Sequence, residues 1–178
     1  PHDSGGGGRP NFAGVIDPFG DYGDFNLNQG VYTMMTYNDG WQTSPTGPLD
    51  PTVISRYGYE GSPMAFDIAA LQFLYGANTS YRTGNDVYML PAGNAAGTFF
   101  SCLWDTSGVD TIRNLSLKSS TIDLRPATLQ HAVGGGGYLS VTEGVSGGFT
   151  IANGTLIENA TGGGGSDRIT GNWATNVL

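Results

Sequence analysis

Positive charge is scarce in this sequence. Seven Lys and Arg residues stand against fifteen Asp and Glu residues, so the net charge is −8, and Lys118 is the only lysine. Proteins that bind nucleic acids neutralise phosphates with clustered Lys and Arg side chains. The composition therefore predicts no nucleic-acid partner.

Cysteine and long apolar segments are also scarce. Cys102 is the single cysteine, which excludes a framework of internal disulfides. It lies in the apolar run Thr98–Trp104, where we expect a small buried hydrophobic residue. No apolar stretch reaches the roughly 18 residues that a membrane helix needs, so we predict no membrane span.

Glycine, in contrast, is abundant. The 30 glycines include clusters at 5–8, 134–137 and 162–165, and the acidic residues are twelve Asp and three Glu. Asp beside Gly is typical of loops that fold around a hard cation such as calcium. Asp also favours turns that hold no metal, and the composition leaves both interpretations open.

One segment predicts a helix. In Pro63–Tyr75 apolar residues recur at spacings of three and four, which favours a helix with one packed face. Ser62 precedes it as the expected N-cap, and Gly76 follows it as the expected C-terminal cap.

From residue 80 onward the pattern changes to short β-rich segments separated by turn residues. The expected strands are Val87–Leu90, Thr98–Trp104, Thr121–Leu124, Tyr138–Val141 and Phe149–Ile151. We therefore predict a mainly β fold in two parts, residues 1–78 and residues 79–178.

The most specific motif lies near the C-terminal end. Gly162–Thr170 fits the nonapeptide GGxGxDxUx, in which U is a large apolar residue, here Ile169. The glycines expose backbone carbonyls, Asp167 supplies a carboxylate, and the apolar residue of the following short strand points inward. Calcium binds between successive turns of such repeats, so Gly163, Gly165 and Asp167 are candidate ligands. A glycine-rich linker is the alternative.

Several stretches resemble, in the same order, the serralysin-type metallopeptidases, which are secreted bacterial zinc proteases of the metzincin group. They are Ser62–Gln72, Leu74–Asn78, Arg82–Tyr88, Trp104–Thr111 and Leu156–Gly163. The resemblance implies the C-terminal part of a metzincin protease domain with one linker helix. A calcium-binding β-sandwich or parallel β-roll would follow it.

The same resemblance gives Met35-Thr36-Tyr37 a meaning. The segment looks like the Met-turn of metzincins, in which a methionine forms a floor beneath the zinc. Met35 would be that floor, and Tyr37 would be a zinc ligand that helps to stabilise the transition state. The alternative is that Met34, Met35 and Tyr37 are ordinary core residues.

The resemblance also implies calcium sites outside the repeat. In one loop, Arg82 and Gly84 would offer carbonyl oxygens and Asp86 would offer a further oxygen. This loop would face a second loop. At a further site, Glu158 and the carbonyl of Leu156 would complete the ligand set. The ligands of the second loop would be Asp105, Ser107, Gly108 and Asp110. Each Asp taken alone is better explained as a turn residue, and it is their joint spacing on two loops that favours calcium ligands.

Two features depart from the family pattern. The sequence has no HExxHxxGxxH motif, and His2 and His131 are its only histidines. Residues 1–6 resemble the family's segment just after the third zinc histidine, so we expect the zinc-binding segment to lie upstream and the chain alone to be inactive. Thr175 occupies a position where the family usually has Asp, so Asp167 could lack a partner turn.

These observations predict the C-terminal part of a secreted, extracellular bacterial zinc endopeptidase that needs calcium and hydrolyses protein or peptide substrates. Its own N-terminal protease fragment is a further expected partner. The alternative is a non-catalytic calcium-binding β-roll module for secretion or adhesion. Calcium would bind in several places, and zinc would bind in the intact enzyme.

Overall fold

The computed structural model describes residues 12–51 and 56–178. Turns and loops dominate the chain before residue 62, with one short 3-10 turn at Asp24–Asn26. The segment 31–37 forms consecutive turns rather than a strand. Side chains stabilise these turns, because Asn38 donates to the carbonyls of Asp21 and Asn28 at 3.0 and 2.9 Å.

The predicted helix is confirmed, with a later start. Helix α1 spans Ala65–Tyr75 and ends at Gly76, whose φ is 82°. Ser62 is not its N-cap, because the Ser62 hydroxyl lies 3.0 Å from the Pro63 carbonyl and accepts the amide of Cys102 at 3.0 Å. The carboxylate of Asp67 instead accepts the Met64 amide at 2.9 Å and so stabilises the first turn.

Only the first half of α1 packs into the protein. Met64 and Ala65 are buried, and Ile68 packs against the same core. The second half presents apolar side chains to solvent, with Phe73 at 89% and Tyr75 at 82% exposure. The expectation of one continuous packed face therefore holds for the first turn alone, since Leu71 is 47% exposed.

Eight short strands follow the helix. They are β1 (Val87–Met89), β2 (Phe100–Leu103), β3 (Thr111–Arg113), β4 (Ser120–Asp123), β5 (Ser140–Thr142), β6 (Gly148–Ile151), β7 (Asn159–Thr161) and β8 (Arg168–Thr170). All five expected strands are present, although β2 and β5 each begin two residues later than expected. The sequence pattern missed β3 and β7, which are three residues long.

The strands form two sheets. One has the order β1-β3-β7 and is parallel throughout, and the other has the order β2-β6-β5-β4-β8 and is mixed. Tyr88 and Ile112 of the first sheet share one hydrophobic core with Leu103, Ile122 and Ile151 of the second. The mainly β architecture with one helix is therefore confirmed.

A second core joins the two predicted parts of the chain. Val31 and Met64 from the first part pack with Phe100, Cys102 and Leu139 from the second. Cys102 is buried, as expected, and burial raises the pKa of its thiol to about 12. The division at residues 78 and 79 stays a prediction, since these segments share a core.

The chain makes one coil near its C-terminal end. Strand β7 belongs to the first sheet and β8 to the second, and Val177 then returns to pair with Asn159 in parallel, 18 residues along. Two nonapeptide steps therefore complete one coil.

Candidate metal centre

Parallel pairing brings three acidic residues to one edge of the first sheet. The register aligns Val87 with Thr111 and Thr111 with Asn159. The residue before each of these positions is therefore at the same edge of its strand, and in all three strands it is acidic. These residues are Asp86, Asp110 and Glu158.

A fourth carboxylate completes the group. Asp105 lies in the loop after β2, and ligand oxygens of Asp86, Asp105 and Asp110 all lie within 4.8 Å of one another. Asp105 is 2% exposed and Asp110 is 1% exposed. Glu158 is joined to them through the amide of Asp110, which donates to Glu158 Oε2 at 2.8 Å. We call these four residues the acidic cluster.

The acidic cluster is electrostatically unfavourable without a cation. Two unit charges at this separation repel by about 3 kcal/mol at an effective protein dielectric constant of ~20. Burial is the main cause that raises the pKa of Asp110 to about 6; the hydrogen bond from the Asp86 amide opposes it, and the charges of Asp105, Glu158 and Asp86 add to it. Among the described residues, no Lys, Arg or His forms a salt bridge with the cluster.

The donor set fits calcium. All four side chains offer carboxylate oxygens, which suit hard cations with six to eight oxygen ligands. No sulfur atom or imidazole belongs to the group, so the chemistry does not favour zinc or copper. The acidic cluster is thus suited to Ca²⁺.

The carbonyl ligands implied by the resemblance lie on two loops that face each other. The Arg82 carbonyl accepts the Thr106 amide at 3.3 Å, and the Ser107 hydroxyl lies 3.5 Å from the Thr83 carbonyl. Gly108 has φ of 134°, and a Cβ there would overlap the Gly84 carbonyl oxygen. The structure therefore brings the two loops together, while ligation by Arg82, Gly84, Ser107, Gly108 and Leu156 stays a prediction.

The C-terminal loop forms a separate site. Asp167 Oδ1 accepts the amide and the hydroxyl of Ser120 at 2.8 and 2.6 Å, and the hydroxyl chiefly lowers the pKa of Asp167. Gly163 and Gly165 pack closely against the backbone of residues 116–119, leaving no room for side chains. The loop thus stacks on the preceding turn at 114–120, and no residue of the acidic cluster joins it.

The segment that resembles a Met-turn is held by helix α1. Asp67 accepts the Thr33 hydroxyl and the Met34 amide, each at 2.8 Å. Met35 is 49% exposed and Tyr37 is 43% exposed, so neither is a buried core residue. Exposure on this scale disfavours the alternative that these are ordinary core residues.

The described residues do not make a zinc site. Tyr37 offers one phenol oxygen, whereas catalytic zinc sites use three protein ligands. His131 Nε2 lies 2.9 Å from Asp24 Oδ2, and the ring of Phe25 packs edge-on against it. His2 lies outside the described residues. The roles of Met35 beneath zinc and of Tyr37 as a ligand stay predictions.

Sequence reasoning missed two residues that support the acidic cluster. Tyr88 donates its hydroxyl to Asp105 Oδ2, and the Thr155 hydroxyl donates to the Asp105 carbonyl at 3.1 Å. Both side chains are buried. Nothing in the local sequence marks them, because their contacts join positions 17 and 50 residues apart.

Comparison with protein families then decides the classification. The family described as "Peptidase M10 serralysin C terminal" matches residues 66–176. The chain belongs to this family. The resemblance seen in the sequence is therefore confirmed.

Individual relatives of this serralysin-type chain agree. Serralysin from Proteus mirabilis is 33% identical over 180 aligned positions, which cover 88% of the chain and 33% of the relative. Metalloprotease AprA from Pseudomonas entomophila is 34% identical, and the alignment covers 83% of the chain and 30% of the relative. Serralysin B from Dickeya chrysanthemi is 35% identical, and the alignment covers 76% of the chain and 27% of the relative. The chain spans about a third of the length of these relatives.

The serralysin-type chain shows no membrane helix in the described ranges. The longest helix, α1, has 11 residues.

Proposed function

We propose that this chain is the C-terminal part of a secreted bacterial zinc endopeptidase that requires calcium and hydrolyses peptide bonds in proteins. The observation that carries the proposal is the acidic cluster at the edge of three parallel strands, with Asp105 and Asp110 buried, in a chain of the serralysin C-terminal family. Relatives that are named serralysin and metalloprotease support the peptidase activity.

Calcium has a structural task in this proposal. The ion joins the loop before β1, the loop after β2 and the residue before β7, and it removes the repulsion among Asp86, Asp105 and Asp110. Since the cluster exists only in the folded chain, the binding free energy stabilises the fold. A further ion is proposed at Gly163, Gly165 and Asp167.

The chain also contributes to the proposed catalytic centre. Met35 and Tyr37 lie in a turn held by Asp67, and about half of each side chain is exposed. Zinc, when bound, would polarise the peptide carbonyl and activate water. Tyr37 is proposed to donate a hydrogen bond to the carbonyl oxygen as negative charge develops there. The histidine ligands would come from a segment with the HExxHxxGxxH motif, which this sequence lacks.

The calcium part is tested by thermal unfolding in about 2 mM CaCl₂ and in excess EGTA. We expect the melting temperature to rise by roughly 5–15 °C with calcium, as binding far above Kd contributes several kcal/mol. The double variant Asp105→Asn/Asp110→Asn is the matched control and should lose most of this rise. An equal melting temperature in both buffers contradicts a calcium-dependent fold.

The peptidase part is tested with casein. The 178-residue chain alone should show no hydrolysis, and hydrolysis that survives removal of zinc by a chelator would contradict the proposal. The protein with its upstream segment should cleave casein, and Tyr37→Phe should lower kcat by about 10- to 1000-fold with a smaller change in KM. An upstream segment without zinc-binding histidines, in an inactive protein, would support a non-catalytic calcium-binding module instead.

A further inference from the structure

Tyr88 reaches the acidic cluster from inside the hydrophobic core. It is the middle residue of β1, pairs in register with Ile112, and is 6% exposed. Its neighbours in β1 point the other way, with Val87 and Met89 exposed. At the end of this buried ring the hydroxyl donates to Asp105 Oδ2.

The hydrogen bonds around Asp105 fix the orientation of its carboxylate. Tyr88 holds Oδ2, and the Ser107 amide approaches Oδ1 at 3.3 Å. The backbone of Asp105 is held separately, because its amide donates to the Thr155 hydroxyl at 3.2 Å and its carbonyl accepts that hydroxyl. Tyr88 is thus the one side chain among the described residues that donates a hydrogen bond to this carboxylate.

The ring of Tyr88 is itself fixed on two sides. The guanidinium of Arg82 lies 5.1 Å from the ring centroid, a distance typical of a cation–π contact. Phe149 packs against the ring edge-on with centroids 6.2 Å apart. A ring held in this way places its hydroxyl at a defined point, so the Asp105 carboxylate is oriented before any ion arrives.

We propose that Tyr88 is a positioning residue of the calcium site, one that orients the Asp105 carboxylate toward the ion. The inference rests on the proposed calcium function and adds to it a residue that supplies no ligand atom. Calcium ligands lie at about 2.3–2.6 Å from the ion, so a carboxylate free to rotate binds less well. Loss of the Tyr88 hydroxyl also makes Asp105 Oδ2 more basic, and this effect alone would strengthen calcium binding. The loss of orientation is expected to outweigh it, because losing such a supporting contact typically lowers metal affinity by about 10- to 100-fold.

The test is calcium titration of the 178-residue chain by calorimetry, with CaCl₂ as the probe. Tyr88→Phe removes the hydroxyl and keeps the ring, and we expect the Kd of the tightest site to rise about tenfold. Tyr32→Phe is the matched control, because Tyr32 is a partly buried tyrosine that packs against the other core. The Kd of Tyr32→Phe for calcium should equal that of the wild type.

A spectroscopic measurement separates positioning from general stability. Calcium should perturb the near-ultraviolet tyrosine absorption of the wild type and of Tyr32→Phe, and this change should be lost in Tyr88→Phe. A Kd in Tyr88→Phe within twofold of the wild type, or tighter, overturns the inference even if the melting temperature in EGTA falls. Absence of calcium binding to the wild type would instead overturn the proposed calcium function.

Discussion

Asp110 combines two features that conflict in a calcium-free protein. It is 1% exposed, and three other carboxylates surround it. Its amide and its carboxylate both take part in the contacts between strands, through Glu158 and the Asp86 amide. The residue therefore cannot turn toward solvent without breaking the edge of the first sheet.

This arrangement predicts a specific dependence on pH. The pKa of Asp110 in the folded chain is about 6, above its ordinary value of 3.8. The unfolded chain therefore releases this proton first, and the free energy of unfolding of the calcium-free chain falls as pH rises from about 4 to 6. The loss is complete about one pH unit above this pKa, and we expect bound calcium to offset it. The calcium-induced rise in melting temperature should thus be larger at about pH 7.5 than at about pH 5.

Thermal unfolding at the two pH values, with calcium and with a chelator effective at both, checks this expectation. The control is Asp110→Asn, whose calcium-free form should lose this part of the pH dependence. A wild-type calcium effect that is larger at the lower pH would contradict the assignment.

Gly108 provides a second prediction at the scale of one residue. Its φ of 134° is strained for any other residue, and a Cβ would overlap the Gly84 carbonyl. Gly108→Ala should lower the free energy of unfolding by about 2 kcal/mol, measured by urea denaturation with calcium present. Gly93→Ala is the control, because a Cβ at Gly93 meets no atom within 4 Å. Equal effects of the two substitutions would show that the loops do not approach as described.

At the scale of elements, the start of helix α1 is joined to the turn that precedes Tyr37. Asp67 accepts hydrogen bonds from the Thr33 hydroxyl and from the amides of Met34 and Met64. Asp67→Ala leaves these donors without their partner, and we expect a loss of about 2 kcal/mol in the free energy of unfolding.

Urea denaturation compares Asp67→Ala with Asp17→Ala, since Asp17 is exposed and its carboxylate accepts no hydrogen bond from the described residues. Asp17→Ala should change stability by less than about 0.5 kcal/mol. Similar losses of unfolding free energy in the two variants would contradict the inference that Asp67 joins the helix to the turn.

The elements that the sequence predicted are those with a strong local signal. Apolar spacing located α1, and runs of β-branched and aromatic residues located β2 and β4. The helix start predicted from Ser62 was wrong, because the acceptor of the first hydrogen bond at this end is the carboxylate of Asp67, the third residue of the helix. β3 and β7 gave no such local signal, and pairing defines them as strands, since β3 pairs with β1 and β7 pairs with β3.

At the scale of the whole molecule, the shared core makes the two predicted parts depend on each other. Residues 58–61 pair with β2, and Met64 packs with Phe100 and Leu139. We expect a single unfolding transition by calorimetry and by near-ultraviolet circular dichroism, because the second core is built from residues of both parts. Two separate transitions in the calcium-loaded chain would contradict this.

The family and the positions of the acidic residues could be predicted from the sequence, whereas the geometry of the site could not. The resemblance indicated Asp86, Asp105, Asp110 and Glu158 as ligands, and the structure brings them together. Tyr88 and Thr155 gave no signal, since a hydroxyl in a strand or loop looks like any other. Their importance arises only when parallel pairing places them beside Asp105.

The order of strand pairing has a consequence for how the chain folds. Thr111 and Asn159 pair across 48 residues, whereas Asn159 and Val177 pair across 18. Closing the shorter loop costs about 0.9 kcal/mol less in chain entropy. We therefore expect the pairing of β7 with β3 to form more slowly than the pairing of Val177 with Asn159, which can use the docked β7 as its template.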